Sequence, residues 1–437
     1  MVRWEKQAGH SHPRPVVLIG DIQKPDLGLC DRDVRWIRDH CVAVIHNAAS
    51  LKFSGSHRHR DPWLSNLNGT QHVFELCRQT SIQRFYHVST AYVCGQRTGC
   101  ILETEADIGQ SPSNDYEASK LAAENAVGNA DWLEHKSIFR PAIIAGDART
   151  GYTSTYHGFY FVLRMGAFLA DAVADGEGFA VSELLQMLNL TGNEHKNFVP
   201  VDWVSAVMAC IIASPNLQDQ TYHLTSNHPV TLSHLAEVVQ EVIRNRGLNS
   251  PAVKASTTDK AAIANQFRTQ MTAYRSYWRD DPEFCNLNTV NAAPHLPCPQ
   301  VDAAMMKRWC QYAIARNFIE PAHKLAHDAT KDTDQCWIEN PSIESHFGEH
   351  DVMSTGVNLQ VNGPGGGQWH LSWSGHSITD IQPGLSSSSA TTLYLNSHSL
   401  RRMRSRDLTA TIAIASGYVL VEGPSKDAVN ILTQLTQ

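Results

Sequence analysis

The sequence predicts an α/β chain in two parts: a parallel sheet with a helical subdomain, then a smaller α+β domain. Three observations carry this. Short apolar runs at 16–19, 42–46, 85–88 and 138–144 alternate with helical stretches, the pattern of parallel strands buried on both faces. Past residue 335 the period changes: Trp369, Leu371 and Trp373 alternate with His370 and Ser372, a strand with one buried face. Between them, 322–335 is polar and patternless and reads as a linker.

The 437 residues suffice for roughly two or three domains. The 42% hydrophobic and 18% charged content is that of a soluble globular protein, and a net charge of -7 gives no general attraction to nucleic acid or anionic membrane. Ten cysteines are scattered with no Cys-x-x-Cys pair, which points to free thiols in a reducing compartment. His57-Arg58-His59-Arg60, with only Asp61 beside it, is expected to be a solvated loop and not a metal site. No apolar run is long enough for an integral membrane segment, and the N-terminus has no signal-peptide core. A cytoplasmic, bacterial setting is therefore expected.

The chemistry centres on residues 87–120. The strand at 85–88 closes on Ser89-Thr90, and after a loop Tyr116 and Lys120 fall four apart, on one face of a helix. A phenol titrates near 10 and is a poor acid or base at neutral pH. A lysine one turn away is expected to favour the phenolate and lower that value. The Thr90 hydroxyl can hydrogen-bond a substrate oxygen that gains charge. Together they form a candidate proton relay for hydride transfer.

The other elements follow in order. The run 16–19 is read as a buried strand ending at Gly20-Asp21-Ile22, 33–40 as a helix, and 42–46 as the next strand. Asn47-Ala48-Ala49 is a small-residue turn, and Ser65-Asn66-Leu67-Asn68-Gly69-Thr70 starts a helix that continues through Cys77. Arg140-Pro141 sits within the strand read at 138–146. Residues 150–178 are aromatic and apolar, either lining an acyl pocket or packing as a core helix. Asp202 is placed as a helix N-cap, 222–224 as a strand, and 231–246 as an amphipathic helix. Residues 254–320 are mostly helical, with 277–282 in a capping segment.

Val44-Ile45-His46-Asn47-Ala48-Ala49, the strand ending in Ser89-Thr90, and Tyr116-x-x-x-Lys120, in this order, resemble the extended short-chain dehydrogenase/reductase superfamily. Lys24-Pro25-Asp26-Leu27-Gly28-Leu29, Ala49-Ser50-Leu51-Lys52-Phe53 and His87-Val88-Ser89-Thr90-Ala91-Tyr92-Val93 are similar to its thioester reductase and fatty acyl-CoA reductase (male sterility, NAD-binding) branch. The likeness runs over about residues 16–318. It implies a Rossmann-like parallel sheet, a helical substrate subdomain, and NADP or NAD as cofactor, with NADPH favoured. It implies that Asp21 and Ile22 border the adenine and that Asn47, Ala48 and Ala49 let backbone approach the cofactor. Asn66 would steady the active-site strand beside Ser89. Arg140 and Pro141 would lie by the nicotinamide, unless Arg140 is only a strand residue. Thr90, Tyr116 and Lys120 become the catalytic residues, with Tyr116 and Lys120 also contacting the cofactor.

A dinucleotide fold opens with a strand, a glycine-rich turn and a helix whose N-terminus holds the pyrophosphate. Only fifteen residues precede Val16, with Gly9 their one glycine. The sheet is therefore expected to be N-terminally incomplete, with its first βαβ unit missing. Arg3-Trp4-Glu5-Lys6-Gln7 reads like the tail of an interrupted helix, which favours a start placed too late over a natively incomplete domain. An exposed edge or core face is the expected consequence.

After the linker, Gly366-Gly367-Gln368-Trp369-His370-Leu371, then Ala390-Thr391-Thr392-Leu393-Tyr394-Leu395, a helix at 397–404, a helix or strand at 408–414, a strand at 417–421 and a closing helix at 427–435 resemble the sterol carrier protein type 2 domain. This implies a five-stranded α+β fold around an apolar tunnel for a lipid or sterol. No peroxisomal tripeptide ends the chain. Leu400-Arg401-Arg402-Met403-Arg404-Ser405-Arg406 is a solvated basic helix face, or else a contact for an acyl-carrier phosphate or lipid headgroup.

The expected organisation is thus a reductase domain at 1–321, a linker at 322–335 and a lipid-binding domain at 336–437. The expected function is NAD(P)H-dependent reduction of a long-chain acyl thioester, presented as acyl-CoA or on an acyl carrier, to aldehyde or alcohol. Two rivals stand: a sterol or sugar-nucleotide dehydrogenase or epimerase of the same superfamily, and a non-catalytic lipid-binding protein.

Overall fold

The computed structural model describes residues 16–53, 60–172, 181–247, 277–316, 355–362, 367–386, 391–415, 418–422 and 426–436, with Phe318, Ser388 and Ser389. They fall into two compact units: residues 21–28 and 34–318, and residues 16–20, 29–33 and 355–436. The linker stretch 322–335, His57 to His59, the residues before Val16 and 254–276 lie outside the described residues.

The larger unit is built on four parallel strands in chain order: β1 (Val44–His46), β2 (Arg84–Val88), β3 (His135–Pro141) and β4 (Thr221–Leu224). Helix α1 (Asp31–His40) precedes β1, α2 (Gly69–Thr80) joins β1 to β2, and α3 (Asp115–Gly128) joins β2 to β3. Successive residues of β2 face opposite layers. Phe85 packs with Val73, Phe74 and Cys77 of α2 and Val127 of α3. Tyr86 joins Phe139, Tyr222 and the Trp203 and Val207 of α5 (Val201–Ile212). The Tyr86, Phe139 and Tyr222 rings stack across three strands at 6.4 and 5.9 Å. Burial on both faces is why these strands read as unbroken apolar runs.

Two expectations are corrected. Residues 16–19 form no strand, and Val17 is 39% exposed. An apolar run becomes a strand only where a neighbour supplies its ladder hydrogen bonds, and no described strand pairs with it. Strand β1 is the edge of its sheet, with Ile45 53% exposed. Asp202 is not the N-cap of α5; that position is Pro200, and Asp202 instead accepts from the Ala148 amide at 2.8 Å.

The helical subdomain packs α4 (Phe159–Ala172), α6 (Leu232–Gly247) and α7 (Ala303–Ala315) around Tyr156, Phe159, Tyr160, Leu163, Leu235, Met306 and Trp309. The described aromatics of the 150–178 stretch thus divide: Tyr156, Phe159 and Tyr160 are core residues. Gly146 is required here, since a Cβ would lie 2.6 Å from the Tyr160 hydroxyl and 2.8 Å from the Trp309 ring.

The second unit holds a five-stranded mixed sheet of β5 (Thr355–Asn362), β6 (Gly367–Trp373), β7 (Ile378–Pro383), β8 (Thr391–Asn396) and β9 (Val419–Glu422). Its order is β7-β6-β5-β8-β9, with β5 and β8 parallel and the other pairs antiparallel. Trp369, Leu371 and Trp373 share one buried face with Leu359 and Leu393, covered by α8 (Ser397–Arg404), α9 (Ala410–Ala415) and α10 (Ala428–Leu435). The ambiguous stretch 408–414 is therefore largely helix. Among the described residues, all nine cysteines are free thiols, and no helix is long and apolar enough to cross a membrane.

Candidate active site

Parallel strands bring their C-terminal ends to one edge, and the candidate residues gather there. The Ser89 amide donates to the Phe139 carbonyl at 2.7 Å, extending β2 toward β3 by one bond. Thr90 is extended backbone and caps the short turn Ala91–Cys94, accepting from the Tyr92 amide at 3.3 Å.

Helix α3 starts on a reciprocal cap. Asn114 Oδ1 accepts from the Glu117 amide at 2.9 Å, and Glu117 Oε2 accepts from the Ser113 amide at 2.7 Å. This fixes the first turn, where Tyr116 lies. The Thr90 side chain lies near the Tyr116 hydroxyl, close enough to lower its titration. Lys120, one turn on, is buried and donates from Nζ to the Val88 carbonyl at 2.6 Å. The structure thus brings Thr90, Tyr116 and Lys120 together around the end of β2.

The electrostatics reverse one expectation. Burial pushes the Tyr116 phenol up to about 12, with the nearby Thr90 side chain pulling it back down. Lys120 does not hold it in the phenolate form. Burial brings Lys120 itself down to about 8, against the raising influence of Glu124. The ammonium is tied to a backbone carbonyl and the phenol is desolvated, so burial dominates both groups. At neutral pH Tyr116 is a protonated donor.

Lys120 gives stability a signed pH dependence. It titrates near 10.5 unfolded and at about 8 folded. Between those values the unfolded state binds more protons, so this contribution to stability rises with pH, and the burial cost is fully present below pH 8. The expected result is that wild type gains on the order of 3 kcal/mol relative to Lys120→Met across that window, measured by urea unfolding. Parallel curves for the two proteins would contradict it.

Asn66 lies in a π-helical turn, Leu64–Asn68, and links two parts of the site. Its Oδ1 accepts from the Ser50 amide at 2.7 Å, and its Nδ2 donates to the Ser50 carbonyl at 3.1 Å and to Ser119 Oγ at 2.9 Å. Asn47, Ala48 and Ala49, just before Ser50, are exposed at the end of β1. Asp21 closes its own turn, accepting from the Gln23 amide at 3.0 Å, and Gln23 Nε2 donates to Ser65 Oγ at 2.9 Å. Ile22 lies against the start of α2, where a Cβ on Gly69 would come within 2.6 Å of it.

Arg140, expected either by the nicotinamide or as a strand residue only, is held within the fold. Its side chain is 1% exposed and pairs with Glu124 of α3, with Nε 3.1 Å from Oε1. A second nitrogen lies 3.2 Å from His223 Nε2. Arg140 faces the α3 layer, where Glu124 is its counter-ion, so its guanidinium is committed inside the fold. Pro141 is buried at the strand end. A cavity of about 660 Å³ lies along Glu103, Glu124, Arg140 and Asn288, and its lining includes none of the three relay residues.

The sequence reading missed several residues. The Asn114-x-x-Glu117 cap was legible as a capping pattern. Glu124, the Arg140 partner, was legible only as a charge four residues after Lys120. His87 is fully buried on β2, 5.3 Å from the His46 ring, with no hydrogen-bond partner for either nitrogen among the described residues. Burial, with Lys120 and His46 adding to it, holds His87 well below the usual imidazole range and neutral.

In fold and sequence the larger unit is similar to NAD(P)-binding, extended short-chain dehydrogenase/reductase-like domains. Residues 2–208 match the family model described as Male sterility protein, an NAD-binding family. The chain is 22% identical over 330 residues to a non-canonical nonribosomal peptide synthetase of Aspergillus hancockii, covering 69% of this chain and 30% of that protein. It is 26% identical over 125 residues to a putative fatty acyl-CoA reductase of Drosophila melanogaster, covering 28% of this chain and 22% of that one. The chain thus spans less than a third of each of these relatives. Its fold is similar to that of the terminal R domain from the myxalamid PKS-NRPS biosynthetic pathway, with a TM-score of 0.52, 19% identity, and coverage of 69% of this chain and 75% of that one.

Proposed function

We propose that the chain reduces a long-chain acyl thioester, carried by coenzyme A or an acyl carrier, to the aldehyde or alcohol, with NADPH as reductant. The observation that carries this is the gathering of Thr90, a protonated Tyr116 and, one helical turn on, Lys120 at the C-terminal edge of a parallel sheet. The relatives' printed names, a fatty acyl-CoA reductase and a nonribosomal peptide synthetase, support a thioester substrate.

The residues fit a nicotinamide cofactor. Ser89 Oγ is a buried hydroxyl without a partner among the described residues, and the Lys120 ammonium carries more N–H groups than its bond to Val88 uses. Lys120 would hold the ribose, Asn47, Ala48 and Ala49 would admit the cofactor closely, and Asp21 and Ile22 would border the adenine. When bound, the cofactor supplies hydride to the thioester carbonyl carbon. Thr90 then hydrogen-bonds the oxygen as it gains charge, and Tyr116 gives it a proton, forming a hemithioacetal. The carbon–sulfur bond breaks, the sulfur leaves as thiolate and takes a proton from solvent, and the hemithioacetal hydroxyl returns its proton to Tyr116 as the aldehyde forms. A second hydride and proton would give the alcohol.

The C-terminal unit is proposed to bind the acyl chain or a sterol and to raise its concentration near the reductase through the tether. Its five-stranded sheet with three helices on one apolar face supports this. The proposed domains are 1–321, 322–335 as linker, and 336–437.

The test is NADPH oxidation by the purified chain with long-chain acyl-CoA, steroid ketone and UDP-sugar substrates side by side. Turnover with acyl-CoA and aldehyde or alcohol as product is expected. Turnover with only a steroid or a UDP-sugar would replace the thioester by that substrate class.

A further inference from the structure

Tyr277 reaches the start of the relay helix from 163 residues further along the chain. Asn114 Nδ2 donates to the Tyr277 hydroxyl at 3.1 Å, and the same Asn114 caps α3 by accepting from the Glu117 amide. The Tyr277 ring lies 5.2 Å from Phe53 and meets Tyr92 edge-on at 5.7 Å. Phe53 in turn stands edge-on to Tyr116 at 6.1 Å, and its carbonyl accepts from the Asp115 amide at 3.1 Å.

The residues that follow fasten the same segment. Arg279 donates to the Gly95 carbonyl and to Ser113 Oγ, the latter at 3.2 Å. Asp281 accepts from the Tyr92 hydroxyl and from the buried Lys196 ammonium, each at 2.7 Å. The first amides of a helix have no partner within it, so the first turn is held only by its cap and whatever supports the cap. Tyr116 sits in that turn. Its placement therefore depends on a segment distant in sequence.

We propose that Tyr277 is a positioning residue for the proton relay: its hydroxyl supports the Asn114 cap and its ring backs Phe53, and together these fix the first turn of α3 and the orientation of the Tyr116 ring. The catalytic consequence rests on the acyl-thioester reading; the structural one does not. The Tyr277 phenol is pushed far up by burial and by Glu117, so it acts as a neutral hydrogen-bonding group.

The experiment compares the full chain with its Tyr277→Phe and Tyr277→Leu variants by hydrogen–deuterium exchange and by steady-state NADPH oxidation with acyl-CoA. In Tyr277→Phe the ring stays and the Asn114 bond goes. The Asp115 and Glu117 amides are expected to exchange about tenfold faster, with the later turns of α3 unchanged, since one hydrogen bond is lost. The expected kcat falls about tenfold while KM stays within about twofold, because the defect is in the relay and not in binding. Tyr277→Leu is expected to extend both effects. Wild-type exchange and wild-type kcat in Tyr277→Phe would overturn the proposal. So would faster exchange spread evenly over the chain, the signature of general destabilisation. If the wild type oxidises no NADPH with acyl-CoA, the thioester reading fails, and the exchange pattern alone still decides whether Tyr277 holds the helix start.

Discussion

Tyr116→Phe is expected to lower acyl-CoA reduction by about a hundredfold to ten-thousandfold, the range lost with a positioned general acid. The unfolding midpoint is expected to stay where it is. The substitution keeps the ring and its edge-on contact with Phe53, and removes the hydroxyl near Thr90. Tyr116 is held at about 12, so at neutral pH it arrives with its proton and is suited to give it to an oxygen that has just gained charge. The measurement is single-turnover NADPH oxidation beside thermal unfolding of both proteins. Turnover equal to wild type would remove Tyr116 from the mechanism.

Arg140→Leu is expected to destabilise the larger unit by about 3–5 kcal/mol, because it strands the Glu124 carboxylate without its counter-ion. Both side chains are 1% exposed, so solvent cannot take the place of the lost partner. Arg140→Leu with Glu124→Leu together is expected to recover most of the loss, since no buried charge then remains. Urea unfolding of the two single variants and the double variant checks this. The same proteins separate a structural ion pair from a cofactor contact: the double variant is expected to bind NADPH as wild type does. A double variant that is stable but no longer binds NADPH would give Arg140 back the cofactor role that the sequence suggested.

The legible parts of this molecule were those written in local spacing. Tyr116 and Lys120 declare a shared helix face, and Trp369, Leu371 and Trp373 declare a strand with one buried side. Both follow from backbone geometry alone. The runs at 85–88 and 138–141 read as buried strands because layers cover both faces of the sheet. The run at 16–19 has the same apolar character and forms no strand, because composition does not supply a neighbour to pair with. Asp202 has cap chemistry, yet Pro200 takes that position and the carboxylate turns to the Ala148 amide. Arg140 shows the limit most clearly. Its position in the motif left open a ligand contact or a strand role alone, and the counter-ion that holds it inside the fold lies on another element. The depressed phenol expected from Lys120 failed for a related reason: proximity in sequence says nothing about burial, and burial governs both groups. Tyr277 left no local signal, since its role arises from contacts with Asn114, Phe53 and Tyr92 that only the folded chain brings together.

The measurement to make first is NADPH binding to the purified 437-residue chain by fluorescence titration, with Lys120→Met beside it. Saturable binding in the micromolar range, weakened in Lys120→Met, is the expected result and would place the cofactor against the relay. No binding by the wild-type chain would contradict the reductase reading.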